Sequence, residues 1–512
     1  MAIDFSEFSE AKNTKKWLDA ALKSLKLNDA SELEKKLNYR SCEGVSLKSD
    51  YPQEIKALQL NSFPSTRKLA CYSNQQEQSI ALNEVDLIIT HSESFKGAAQ
   101  IVTTIKKLTE NSLLDIFAIV NNFQVSELTE FITSIKKQNF KTYISSAQVH
   151  NAGGSIVQEL SFLLGLIKFN QEVLANTASL VIEVAVDSLF FNNIAKLRAL
   201  RFLLESLQEK CQIPNFEIMT RNSLREQTLY DPWMNMLRNT TSASAAFLGG
   251  ADIISIDSYD HIASYYGNSQ ESDLGMRQAK NVFHVLNEES YLSSVQDCSQ
   301  GSYAIESLTT EYIDLSFKHF RLLEKKGGIF ANLDSFSEDV KQISAERLTK
   351  VANLKSTLAG INNFANTDDD LEDLFKTKLK LELKDELFPL RRNAFAFEQI
   401  RNTFTTKSFK PVVLTYGDES KLSARIMFCV NYFEVLGHKV EVKHISGVTK
   451  DITASIIILC AADADYAELV SKLPKANTPM FIAGNKYHQE GMTNIYLGQN
   501  MLSVLGGLSE LF

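Results

Sequence analysis

The sequence predicts an α/β protein in four parts: an N-terminal arm over 1–60, a (β/α)8 TIM-type barrel over 61–345, a helical linker over 346–410 and a flavodoxin-like domain over 411–512. Three observations lead there. From about residue 68, short β-rich apolar runs alternate with longer runs of helical period, and seven or eight such pairs over ~260 residues have the size and order of a (β/α)8 barrel. A doubly wound open sheet has the same periodicity and stays open at this point. After a charged stretch short of strand signal, five apolar runs in ~100 residues fit a three-layer flavodoxin-like sandwich. Lastly, 512 residues with 44% apolar content can supply a core to each of two or three domains.

Residues 1–60 are polar and helix-prone around Trp17 and Leu18, then read as extended in EGVSLKSDYP. Such a segment has too little apolar area to fold alone, so it is expected to lie on another surface. The barrel strands are expected at Leu69–Tyr72, Leu87–Thr90, Ile116–Val120, Thr142–Ser145, Leu180–Val186, Phe216–Met219 and Ile253–Ile256. Between them GAAQIVTTIKKLTE, SELTEFITSIKKQ and NNIAKLRALRFLLESLQEK are apolar at i, i+3, i+4 and i+7. Helices are also expected in QAKNVFHVLNEESYL and in YIDLSFKHFRLLEKKGG, where Gly327 and Gly328 close a lysine-rich last turn. The stretch from Thr367 to Arg392, rich in Asp, Glu and Lys, reads as a solvated helical linker. The second α/β unit has strands in 411–417, 439–445, 454–460, 479–485 and 494–499, with helices over 421–436, near 464–473 and over 500–511.

Lys and Arg number 53 against 62 Asp and Glu, a net charge of -9, so no general field draws the chain to nucleic acid or an anionic membrane. No apolar run reaches the ~18 residues of a membrane span, and the N-terminus lacks the apolar core of a secretory signal. Six cysteines stand singly, as in a reducing compartment, and the chain is expected to be cytoplasmic. Glycine (21) and proline (8) are both scarce, which is lean for backbone that must curl around a cofactor.

No P-loop, GxGxxG, HExxH, GxSxG or zinc-type cluster is present. His438 and His444 flank a strand, and neither is expected at its C-terminal end. Asp463 and Asp465 read as a loop carboxylate or helix N-cap rather than walls of a ligand crevice. Gly153-Gly154 and Gly249-Gly250 are candidates for close packing, for turns or for approach to a phosphate. Gly506-Gly507 reads as a close-packed terminal helix.

Five segments in one order carry more than any of these: HNAGGSIVQELSFLL (150–164), NIAKLRALRFLLE (193–205), DPWMNMLRNTTSASAAFLGGADIISIDSYD (231–260), LNEESYLSSVQDCSQGSYAIESLT (286–309) and KKGGIF (325–330). In them the chain resembles the adenosylcobalamin-dependent acyl-CoA mutase family, within it the small (beta) subunits of heterodimeric methylmalonyl-CoA mutases. The resemblance covers roughly residues 60–345 by motif and 410–512 by fold pattern. It implies an arm that wraps a partner subunit, a barrel threaded by acyl-CoA, and a C-terminal cobalamin-binding-type domain. The implied reaction is the radical rearrangement of methylmalonyl-CoA to succinyl-CoA, with the protein binding, orienting and excluding water.

Measured against that family, the departures fall on the chemistry. Where its catalytic chains have GYHxxEAGA, this chain has Ser146, Ala147, Gln148, Val149, His150, Asn151, Ala152, Gly153 and Gly154, so Ala147 and Gln148 replace the Tyr-His pair. His150 is expected on the same strand face as Gln148, ~7 Å further along. The TSGxSLT stretch becomes Asn222, Ser223, Leu224, Arg225, Glu226, Gln227 and Thr228, and Tyr230 replaces a Gln. Where the family has HTNSFDE, Ser255 replaces the leading His while Ser258 and Asp260 remain. The DxHxxG loop that ligates cobalt becomes Asp418, Glu419, Ser420, Lys421, Leu422 and Ser423. Serine is a poor neutral ligand, and without the glycine the loop loses freedom to open. What survives is packing sequence, including Asn235, Arg238, Gly249, Gly250, Gly301, Ser302 and Tyr303. The resemblance therefore implies no catalytic residue, no cofactor-binding residue and no metal ligand in this chain. It implies adenosylcobalamin held by a large-subunit partner, with this chain supporting it. An autonomous isomerase using displaced groups such as His150 and Asp257, or a regulatory acyl-CoA-binding protein, are the other readings.

Overall fold

Strands apolar on both faces need cover on both faces, and parallel sheets supply it. The chain, in a computed structural model, is described over residues 14–48, 51, 57–73, 87–90, 113–115, 141–175, 177, 179–266, 271–368, 387–405, 408–447, 452–473 and 478–509. A short antiparallel ribbon joins β1 (Tyr39–Arg40) to β2 (Ser46–Leu47). Seven strands then form one parallel sheet: β3 (Lys68–Ser73), β4 (Leu87–Thr90), β5 (Leu113–Asp115), β6 (Lys141–Ser145), β7 (Ser179–Val186), β8 (Asn215–Asn222) and β9 (Ile253–Ser255). Their order is β4-β3-β9-β8-β7-β6-β5, so the first strand lies between the second and the last. The expected strand Ile116–Val120 falls outside the described residues, as do the helical runs GAAQIVTTIKKLTE and SELTEFITSIKKQ.

The period-2 alternation divides this sheet cleanly. Ile144, Ile182, Val184, Ile218 and Ile254 enter the main core with the helices Ile156–Phe169, Phe190–Cys211, Trp233–Gly249 and Tyr303–Lys325. On the other face Ala70, Tyr143, Val181, Met219 and Ile253, one from each of five strands, make a separate apolar layer. The next positions along the strands on that face are Ser145, Glu183, Arg221 and Ser255, so a polar layer lies beside the apolar one.

Local sequence accounts for the covering helices. Ser155 and Gln158 form a reciprocal capping box that starts Ile156–Phe169. Phe190–Cys211 follows the predicted run and stops at Gln212, whose φ is +53°. Gly250, at φ +85°, ends Trp233–Gly249, and a Cβ there would lie 2.5 Å from the Phe63 ring.

Two expectations about the flanking parts change. Residues 42–45 of the expected arm belong to this chain's own body: Val45 sits in the main core, and Glu43 accepts from Ile156 N at 3.1 Å and pairs with Arg347 at 2.7 Å. Residues 369–386 of the expected solvated stretch lie outside the described residues, while Phe388 and Arg392 at its end are buried. Val351, Leu358, Ile361, Phe397, Phe404 and Phe409 join one buried cluster with Tyr230 and the C-terminal unit. Its members come from segments far apart in the chain, so no local period shows their common face.

The C-terminal unit is a five-stranded parallel sheet of β10 (Pro411–Tyr416), β11 (Glu441–His444), β12 (Ile456–Ala461), β13 (Met480–Ala483) and β14 (Met492–Ile495), ordered β11-β10-β12-β13-β14. Helices Glu419–Glu434 and Met501–Ser509 cover one face, and Tyr466–Ser471 covers the other. The last strand begins two residues before the expected 494 and stops ahead of Gly498, whose φ of +95° breaks the extended run.

Candidate functional site

The residues in place of the Tyr-His pair sit where β6 hands over to a helix. Ser146 precedes the short helix Ala147–Asn151. Ala147 presents only a methyl group, and Gln148 donates its amide to Ser145 O at 3.0 Å. Neither can exchange a proton with a substrate.

His150 corrects an expectation, because residues 147–151 are helical rather than extended. At 3.6 residues per turn, a two-residue offset turns His150 to the side opposite Gln148. Its imidazole is 1% exposed, with Nε2 2.8 Å from Ser223 Oγ and Nδ1 3.4 Å from Glu159 Oε2. A serine, an imidazole and a carboxylate thus lie in succession, but Nδ1 makes no hydrogen bond and all three side chains are buried, unlike a nucleophile triad open to substrate. Lys196 pairs with Glu159, and Arg225 reaches Asp187 at 2.7 Å and Glu43 at 3.4 Å. Burial, with Arg225, Lys196 and Arg347 nearby, pushes the imidazole pKa well below its ordinary value and keeps it neutral.

The polar layer inside the seven-stranded sheet is the second cluster. Ser145 Oγ donates to Glu183 Oε1 at 2.8 Å, while Glu183 Oε2 is buried without a hydrogen-bond partner. Arg221 Nε lies 3.2 Å from Asp257 Oδ1, and its Nη2 donates to His261 Nε2 at 2.9 Å. His261 Nδ1 in turn donates to Glu271 Oε1 at 2.6 Å, and Ser258 Oγ donates to Glu271 Oε2 at 2.8 Å. Burial pushes the Glu183 carboxyl up to about 7, with Arg221 opposing the shift and Asp257 adding to it. Sequence reasoning singled out Asp257 and Ser258 but missed Glu183 and Arg221. The available signal was a charge on the alternating pattern of two otherwise strand-like runs, Glu183 in SLVIEVAV and Arg221, beside Glu217, in NFEIMTRN.

In the C-terminal unit, Asp418 caps the helix Glu419–Glu434 by accepting from Ser420 N at 3.1 Å and from Ser420 Oγ at 2.6 Å. Ser423 Oγ donates back to Ser420 O at 3.3 Å. His444 corrects a second expectation, since it is the last residue of β11 and so stands at a strand's C-terminal end. Its Nδ1 lies 3.2 Å from Thr415 Oγ1 and 3.4 Å from Glu419 Oε1. His438 contacts Phe404 O at 2.9 Å. Asp463 pairs with Arg425 at 3.0 Å and Lys486 at 3.2 Å, and Asp465 is the N-cap residue of Tyr466–Ser471.

The glycine pairs separate as well. A Cβ on Gly153 would lie 2.3 Å from Ser344 Oγ, and one on Gly249 would lie 2.8 Å from Leu197, so both serve close packing. Gly506 and Gly507 do not, contrary to expectation: a Cβ on either meets nothing within 4 Å. Among the described residues, no group of three or more His, Cys, Asp or Glu side chains is placed to hold a metal ion, and no helix is long and apolar enough to cross a membrane.

Comparison with known proteins places the His150 and Glu183 clusters within a matched family region. The family profile described as methylmalonyl-CoA mutase matches residues 122–387. A probable methylmalonyl-CoA mutase small subunit of Mycobacterium bovis is 25% identical over 351 residues, 64% of this chain and 56% of that protein. The methylmalonyl-CoA mutase small subunit of Porphyromonas gingivalis is 28% identical over 355 residues, 64% of this chain and 57% of that protein. A 2-hydroxyisobutanoyl-CoA mutase large subunit of Aquincola tertiaricarbonis is 28% identical over 262 residues, 47% of this chain and 46% of that protein. The chain thus spans little more than half the length of these small-subunit relatives.

Proposed function

The chain belongs to the methylmalonyl-CoA mutase family, and from that premise we propose that it is the non-catalytic small subunit of a heterodimeric methylmalonyl-CoA mutase, supporting a large subunit that interconverts methylmalonyl-CoA and succinyl-CoA. The observation that carries this reading is the pair Ala147 and Gln148, a methyl group and an amide donated to the Ser145 carbonyl at the end of β6. Relatives named as small subunits support it.

The strand order supports a (β/α)8-type barrel over 61–345, because β3 pairs with both its successor and the last strand of the set, as closure requires. The order β11-β10-β12-β13-β14 is the 2-1-3-4-5 order of a flavodoxin-like unit over 411–512. Residues 1–60 supply the arm toward the partner, apart from residues 42–45, which pack on this chain's own body, and 346–410 supply the link between units.

Adenosylcobalamin, which supplies the radical in this family, does not fit the loop after β10. Ser420 offers a hydroxyl already donated to Asp418, and Asp418 is engaged as a helix cap. We therefore assign the cofactor to the large subunit. An autonomous isomerase using His150 is disfavoured by the 1% exposure of that imidazole.

The test is to purify the chain alone, its large partner alone and the co-expressed pair. Turnover of methylmalonyl-CoA is expected from the pair, with no corrinoid spectral change when adenosylcobalamin is titrated into this chain. Turnover or corrinoid binding by this chain alone would sink the reading.

A further inference from the structure

A thiol, an amine and a carboxylate meet where the N-terminal segment lies on the helix Leu333–Ala352. Cys42 Sγ accepts from Lys350 Nζ at 3.2 Å and donates toward Glu346 Oε1 at 3.7 Å. Glu346 and Lys350, one helical turn apart, pair at 2.9 Å. The thiol is 6% exposed, while the Lys350 and Glu346 side chains are 17% and 52% exposed, so the sulfur lies just beneath a surface-facing amine. It is also held there. Glu43, the next residue, pairs with Arg347 on the same helix at 2.7 Å and accepts from Ile156 N at 3.1 Å.

We propose that Cys42 and Lys350 form a redox modification site that closes through one oxygen atom into an Sγ–O–Nζ bridge, with dioxygen as the oxidant. An oxidised cysteine sulfur condenses readily with a nearby nitrogen or thiol, and the group in contact here is an amine. The S–H bond and one N–H bond break, and an S–O and an O–N bond form. Sulfur and nitrogen each lose two electrons, and dioxygen takes all four. One oxygen atom stays in the bridge, and the other leaves as water with the two hydrogens. The extra proton of the ammonium passes to the Glu346 carboxylate and on to solvent. An oxygen-bridged link asks the two side chains to draw together by only a fraction of an ångström, whereas a direct S–N bond asks for far more. The bridge ties positions 308 residues apart and so restricts the unfolded chain as a disulfide would.

The full chain is held in air-saturated buffer without reductant, denatured in iodoacetamide, digested and mapped by mass spectrometry. The expected product joins the peptides that contain Cys42 and Lys350, with one oxygen gained and two hydrogens lost, and it separates on adding dithiothreitol. Lys350→Arg, which keeps the cation beside Glu346 but removes the amine, is expected to lack it. Recovery of Cys42 as the alkylated thiol, as a sulfinic or sulfonic acid, or joined to Lys350 without the oxygen overturns the proposal. The wild-type digest carries this readout by itself, so the outcome does not depend on how well the variant folds. As a second readout, dithiothreitol is expected to lower the melting temperature of the air-treated wild type and leave that of Lys350→Arg unchanged.

Discussion

Arg392 and Glu398 form a bidentate ion pair, Nη1 to Oε1 at 2.9 Å and Nη2 to Oε2 at 2.6 Å, with both side chains out of reach of solvent. The pair does more than neutralise itself. Arg392 also donates to Gln227 O at 3.2 Å, and Glu398 accepts from Leu229 N at 2.8 Å. It thus fastens the segment leading into the C-terminal unit onto the loop that follows β8. Removing one partner strands the other charge in the core, so Glu398→Ala is expected to cost about 3–5 kcal/mol. Urea unfolding measures this, and a loss below about 1 kcal/mol would mean that water reaches the guanidinium.

That clasp was not legible in the sequence, and the reason is physical. Local periodicity reveals an element when its own residues carry the pattern, as in SLVIEVAV or the helix Phe190–Cys211. It is silent about partners brought together by the fold. Glu183 and Arg221 become neighbours through the register of β7 and β8, where Ala185 lies opposite Arg221. His150 was misplaced because the strand pattern through Ser145 does not announce that the helix begins at Ala147. Phe397, Phe404 and Phe409 share one buried cluster with Tyr230, more than 160 residues earlier in the chain, a convergence that no local pattern encodes. Motif order, by contrast, directed attention to Ala147, Gln148, Asp418, Ser420 and Ser423, and carried no sign of the Glu183 and Arg221 layer.

Glu183 should make stability depend on pH. Its folded pKa of about 7 exceeds the ordinary 4.5, so the folded state holds a proton that the unfolded state has already released. The contribution is fully present below pH 4.5 and is lost as pH rises through about 7. The total is about 3 kcal/mol, at 1.36 kcal/mol per unit. Glu183→Gln keeps an acceptor for Ser145 and cannot ionise. Urea titrations at pH 5 and pH 8 are expected to show the variant gaining on wild type at the higher pH. A constant difference between the two would show that Glu183 does not titrate in this window.

Placing a Tyr-His pair at 147 and 148 is expected, on the proposed function, to give this chain no turnover of its own. Ala147 is only 6% exposed, so Ala147→Tyr must push neighbours aside, at about 1–3 kcal/mol for overpacking. Gln148→His supplies an imidazole, but the loop at Asp418, Ser420 and Ser423 still lacks a cobalt ligand. The double variant, assayed alone with methylmalonyl-CoA and adenosylcobalamin, is expected to show no turnover. Measurable succinyl-CoA formation by the double variant would overturn the assignment of the cofactor to the large subunit.

Two glycines with opposite surroundings should respond oppositely to the same added methyl group. Gly250 has φ +85°, and its Cβ would lie 2.5 Å from the Phe63 ring, so Gly250→Ala adds left-handed backbone strain to a clash. A cost of roughly 1–3 kcal/mol is expected. Gly506 lies within the helix Met501–Ser509, where a Cβ meets nothing within 4 Å. There alanine lowers the entropy of the unfolded chain without disturbing the fold, so Gly506→Ala should stabilise by about 0.5–1 kcal/mol. Thermal unfolding of the two variants beside wild type distinguishes these effects. A Gly506→Ala that destabilises would mean that the terminal helix is packed against a surface, such as a partner subunit's, that needs the bare backbone.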